Sequence, residues 1–85
     1  MKKIDFRKIG IEDIDGNITE VDFSKYLGNY MYMHAKHIEE AEIGRSIYHD
    51  GEVELDDDKA SIVVRMAKES DLLYVAWSAI EKALN

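Results

Sequence analysis

Not one cysteine occurs in these 85 residues, so the chain has no disulfide staple and must hold itself together with apolar side chains alone. A chain this short buries only about 60 to 65% of the surface its unfolded form exposes, which implies a thin core and modest stability unless copies associate. It has room for a single domain, residues 1–85. The same absence removes thiolate chemistry. No apolar run approaches the roughly 18 residues of a membrane-spanning helix. The opening MKKIDFRKIG carries charge where a signal peptide has its apolar stretch, so the expected location is cytoplasmic. Eighteen acidic against eleven basic residues give a formal charge of -7, which disfavours a generic binder of phosphate backbones and direct nucleic-acid contact.

Residues 1–23 carry the pattern of a β-hairpin. Ile4, Phe6, Ile9, Ile11 and Ile14 precede Asp15-Gly16-Asn17, and Ile18, Val21 and Phe23 follow it. Alternation holds at Ile4/Phe6 and again at Ile9/Ile11 with a change of parity between them, which predicts a β-bulge or bend near Arg7-Lys8. Two strands alone are marginal in water, so this unit needs an apolar cover. Residues 24–85 supply it as helices. The expected fold is therefore α+β, an N-terminal β-hairpin followed by three or four packed helices.

The first helix is predicted to start at Ser24 as its cap, with Phe23 stapling from outside and Leu27, Tyr30, Met31 and His34 forming one stripe. Gly28 inside it costs about 1 kcal/mol against alanine and implies close backbone contact with a neighbour. A second stripe, Ile38, Ala41, Ile43, Ile47 and Tyr48, ends at Asp50-Gly51. The two stripes fall out of phase. One bent helix or two separate ones fit this, and a bend near Lys36-His37 is the favoured reading. DGEVELDDD (50–58) reads as a loop or short extended piece, one of its last three aspartates capping a helix with Ile62, Val63, Met66 and Ala67 on its stripe. The last helix is expected from about Asp71 to Ala83, capped by Ser70, with Leu73, Ala76, Trp77, Ile80 and Leu84 on one face and Leu72, Val75 and Ala79 on another. A helix so widely apolar is central to a core or covered by a second subunit.

Chemistry-bearing motifs are sparse. Asp13-Ile14-Asp15-Gly16-Asn17 opens like a calcium loop, but Ile18 stands where that loop needs glycine and Ser24 where it needs a bidentate glutamate, so a hairpin turn is the better reading. His34 and His37 with Glu40 or Glu42 lack the further ligands of a zinc site, and His49 lies too far along the chain. Asp56, Asp57 and Asp58 lack the burial or charge partner that tunes catalytic carboxylates. The serines sit at helical or capping positions, and the glycines are scattered singly. Lys2, Lys3, Arg7 and Lys8 suit the guarding of an edge strand. No catalytic residue, metal site or cofactor is expected, and the chain is not read as an enzyme.

The densest cluster is Tyr26, Tyr30, Met31, Tyr32 and Met33. Helical spacing cannot bury all five, and exposed tyrosine and methionine favour protein interfaces. The expected interaction set is Tyr32, Met33 and Trp77 as apolar anchors, rimmed by Glu52, Glu54, Asp56, Asp57 and Asp58. The partner is another protein or a second copy, without nucleic acid or membrane. The alternative is an acidic decoy that mimics nucleic-acid charge to block a basic protein.

Through IEDIDGNITEVDFSKYLGNYMY, with its VDFSKYLGN, and through IGRSIYHDGEVEL and the closing apolar helix, the chain is similar to small uncharacterised proteins of phages and prophages of gut Bacteroidetes. The resemblance implies a small accessory or structural protein of phage type that works through contacts with other proteins.

Overall fold

A computed structural model describes residues 1–85. Four short strands and four helices follow in the order β1 (Lys2–Asp5), β2 (Ile9–Glu12), β3 (Ile18–Val21), α1 (Ser24–Met33), α2 (Ile38–Asp50), β4 (Glu52–Leu55), α3 (Asp57–Glu69) and α4 (Tyr74–Leu84). The fold is α+β, as the patterning predicts.

The expected hairpin is β2–β3, antiparallel, with Ile9 opposite Val21 and Glu12 opposite Ile18. Its loop is organised by Asp13, whose Oδ1 accepts the Asp15 and Asn17 amides at 2.9 Å each, while Gly16 takes a φ of 89° that a side chain would strain. These amide donors hold the Asp13 carboxyl below the usual carboxylate range, Asn17 first among them. The calcium-loop pattern is thus spent on the turn itself.

β1 does not belong to the hairpin. It pairs antiparallel with β4, Ile4 opposite Val53 and Lys2 opposite Leu55. The predicted bend near Arg7-Lys8 is a full turn, closed by the Lys8 amide on the Asp5 carbonyl at 3.1 Å, that carries the chain from one two-stranded sheet into the other. Arg7 braces it by donating through its amide and guanidinium to Asp5, whose carboxyl is thereby held low. Between the sheets sits Phe6, fully buried. Its N–H donates to Gly51 at 2.9 Å and its carbonyl accepts from Phe23 at 2.8 Å, so one residue ties both sheets together. The extended reading of 50–58 resolves into β4, entered through Gly51 at φ 75°.

The chain breaks over residues 34–37, so α1 and α2 are separate helices. Ser24 is inside α1 and not its cap. Asp22 accepts from both the Ser24 amide (2.9 Å) and hydroxyl (2.6 Å), because a carboxylate two residues ahead reaches these donors and leaves Ser24 free to be buried. Asp56 caps α3 by accepting the Lys59 amide at 2.8 Å, as one of the three aspartates was expected to do. α4 starts later than predicted. Ser70 closes α3, its hydroxyl donating to the Ala67 carbonyl and accepting from Leu72, and Leu73 is extended.

The core draws on every layer: Ile4, Phe6 and Ile9 from the strands' side, Leu27 and Met31 from α1, Ile43 and Ile47 from α2, Val63 and Met66 from α3, Ile80 and Leu84 from α4. Gly28 and Gly44 are what let α1 and α2 pack. A Cβ on Gly28 would lie 2.7 Å from both the Gly44 carbonyl oxygen and the Tyr48 nitrogen, and one on Gly44 would lie 2.8 Å from the Gly28 carbonyl oxygen. The close backbone contact expected at Gly28 is this crossing.

Candidate interaction surfaces

The crossing fixes what lies around it. On one side Lys25 Nζ donates to the Tyr48 carbonyl at 2.9 Å and lies over the Tyr48 ring, satisfying an unpaired carbonyl near the end of α2. On the other, Arg45 stands over the Tyr32 ring, 5.5 Å from its centroid. Tyr32 is half exposed and lines a shallow groove with Asn29, Arg45, Tyr48 and His49. Met33 is more exposed and faces a different groove, with Tyr26, Tyr30, His34, Glu69 and Asp71. Trp77 is in neither. It packs partly buried against the core, with Tyr74 edge-on at 5.0 Å and the Lys68 ammonium 5.0 Å over its ring. Trp77 is thus largely occupied by neighbours in its own chain.

The acidic rim divides as well. Glu52 and Glu54 line a groove between α2 and β4, together with Glu39, Glu42 and Asp50, whereas Asp56, Asp57 and Asp58 stand exposed around the start of α3. The proposed anchors and acids therefore do not form one patch.

A larger apolar surface lies where the sequence pattern looks inward. Leu73 was expected on the buried face of the last helix and is 74% exposed, because it precedes α4 in extended backbone and helical periodicity does not apply to it. Tyr74 and Val75 follow at 68% and 48%. Tyr74 and Val75 line a groove against β1 and the hairpin, in which Ile18, itself largely exposed, sits opposite. The signal available in the sequence was the run Leu72-Leu73-Tyr74-Val75, too continuous in apolar character for one helical face to absorb.

The histidine and acid pairing considered at the α1–α2 junction is committed elsewhere. His34 stacks on Tyr30 at 4.1 Å between centroids, and no three His, Cys, Asp or Glu side chains converge as a cation would require. Glu40 is a buried carboxylate, accepting the Lys36 amide at 2.8 Å and a donor from the Arg65 guanidinium of α3. The Lys36 bond, and then Arg65, hold its carboxyl below the ordinary glutamate range. It occupies a core-facing position of α2, at the spacing of Ile43, Gly44 and Ile47, which the stripe read from the sequence does not include.

A lowered folded-state value means that this bond set stabilises fully above the unfolded value of about 4.3 and is lost as pH falls through the folded one. Glu40→Gln is therefore expected to be less stable than the parent at neutral pH and to converge with it in acid. Urea midpoints measured at several pH values check this; parallel curves would refute it.

No helix is long and apolar enough to cross a membrane. No family model, curated protein or solved structure matches the chain.

Proposed function

We propose that this chain is a protein–protein interaction module, acting by contact and without covalent chemistry, cofactor or metal. The observation that carries this reading is the exposed run Leu73-Tyr74-Val75, of which Tyr74 and Val75 share a groove with Ile18, on a chain small enough to need every apolar side chain for its core. Large exposed aromatic and aliphatic residues bordering a groove are what a partner's side chains can desolvate. Tyr32 and Met33 form secondary contacts on the α1 side, and the acids of β4 and α3 steer a basic partner toward the molecule. The resemblance in sequence extends the proposal to a phage- or prophage-encoded accessory or structural protein working in the cytoplasm.

The concentration of carboxylates beside β4 favours a second reading, a decoy that occupies a basic protein's nucleic-acid site. Binding through carboxylates alone weakens steeply with salt, while anchoring by buried apolar groups changes far less, so affinity at two ionic strengths separates the readings. A photo-crosslinking amino acid placed at position 74 in the chain's native cells is expected to give a discrete protein adduct, and the same group at exposed Ser61 of α3 to give none. No adduct at 74, or equal labelling from both positions, would refute the proposal.

A further inference from the structure

We infer that the free edge of β4 is a docking strand for an extended basic segment of a partner protein, a reading that rests on the interaction-module proposal and names a second site within it. The backbone supplies the first half of the case. In an antiparallel pair, residues alternate between hydrogen-bonded and non-hydrogen-bonded positions. The Phe6 amide on the Gly51 carbonyl makes that pair a bonded one, so with the observed register Ile4/Val53 and Lys2/Leu55 are bonded too. Glu52 and Glu54 then point their N–H and C=O groups away from β1. β4 has no second neighbouring strand, and no turn, cap or side-chain bond takes up these four groups. They are a template for an incoming strand.

The surroundings supply the second half. The groove on this side is lined by all four β4 residues, inward-facing Val53 and Leu55 as well as outward-facing Glu52 and Glu54, so it opens on the strand's edge and not on one face. Its far wall is α2, which offers Ile43 at the base and Glu39, Glu42 and Asp50 above it. Five carboxylates face two lysines, Lys59 and Lys3, and Lys3 already lies 3.6 Å from Glu52. A strand alternating basic and aliphatic residues fits this: backbone on Glu52 and Glu54, cations toward the carboxylates, aliphatic groups over Ile43 and Val53. A second copy does not fit. Pairing β4 with itself sets acidic strand against acidic strand between chains that each carry a charge of -7, and like charges in opposing positions destabilise a sheet.

The probe is a blocked peptide, Lys-Val-Lys-Val-Lys, titrated into the full-length chain and followed by amide NMR and hydrogen exchange. Slowed exchange is expected at the Glu52 and Glu54 amides and not at Ile18 and Glu20, the corresponding outward positions on the strand edge of β3. N-methylating the backbone nitrogens of the peptide's lysines, which stand opposite Glu52 and Glu54 in an antiparallel pairing, removes the N–H donors that face β4 and keeps its charge, and is expected to weaken binding by about tenfold or more, which is about 1.4 kcal/mol or more. Glu39→Gln with Glu42→Gln, both exposed and outside the core, is expected to weaken it severalfold. Equal binding of the methylated peptide, or protection at β3 in place of β4, overturns the inference. If that happens while position 74 still crosslinks, the interaction module stands without this site; loss of both removes the module as well.

Discussion

Phe6→Ala is expected to cost about 3 to 5 kcal/mol, the largest single loss available to this chain. A domain of 85 residues has a total stability of about 4 to 13 kcal/mol, so the variant should be partly or wholly unfolded at ordinary temperature. The size of the effect comes from two sources. The ring is fully buried among residues from both sheets and the helices, and its loss leaves a cavity in a core too small to refill it. The residue also sits in the turn between β1 and β2, where its backbone bonds to Gly51 and Phe23 hold the two sheets together. Those bonds survive the substitution only if the turn does. Urea denaturation followed by circular dichroism measures the loss. Phe6→Leu, which keeps most of the volume, should fall well short of it. An alanine variant within 1 kcal/mol of the parent would mean that the ring is not the keystone described here.

Gly28→Ala and Gly44→Ala are the second case, and here two effects oppose each other. Alanine favours a helix over glycine by about 1 kcal/mol, which on an isolated helix would raise stability. At this crossing the added methyl meets backbone, the opposite glycine's carbonyl oxygen and a main-chain nitrogen, and not the movable end of a side chain. α1 and α2 must separate to admit it, pulling Leu27 and Met31 from Ile43 and Ile47 and breaking the Lys25–Tyr48 and Arg45–Tyr32 contacts that flank the crossing. Overpacking of this kind costs about 1 to 3 kcal/mol, which outweighs the helix gain of about 1 kcal/mol, so the expected net is a loss of up to about 2 kcal/mol for either variant. The double variant should lose less than the sum, because helices already parted by one methyl accommodate the second more easily. A raised unfolding midpoint in either single variant would show that helix propensity wins and that the crossing is loose.

Much of the architecture could be read from residue patterns. The hairpin with its Asp15-Gly16 turn, a discontinuity near Lys36-His37, a capping aspartate among residues 56–58 and the need for a close approach at Gly28 all rest on interactions among residues near in sequence, or on a glycine whose cost demands an explanation. The errors share a cause. Serine suits a helix start, so the pattern assigns capping roles to Ser24 and Ser70, but Asp22 has the longer reach to the free donors and Ser70 is drawn to the end of α3 instead. Leu73 is misplaced because periodicity assigns a face only within a helix, and the burial of Glu40 has no sign in the pattern because a polar residue can sit on a buried face only when a partner meets it there. Leu73 lies outside α4, and Glu40 has Arg65, 25 residues away. For the candidate sites the pattern names Tyr32, Met33, Glu52 and Glu54 together, and the structure sets them on three separate grooves. Tyr32 answers to Arg45 and Trp77 to Lys68, pairings made by helices meeting in space, while Tyr74 lies one turn before Trp77 in α4 itself.

By itself the amino-acid sequence determined the fold class, the positions of the turns and most helix ends, and the excess of negative charge, because each depends on periodicity, local hydrogen bonding or composition. Only the tertiary structure decided that β1 leaves the hairpin to pair with β4, that Glu40 is buried on Arg65, and that Leu73, Tyr74 and the edge of β4 face outward. The β1–β4 partners and the Glu40–Arg65 pair join residues 25 to 53 positions apart, and a short segment's own pattern is compatible with many such partners. Which of them wins is settled by the packing of the whole core around Phe6 and the Gly28–Gly44 crossing.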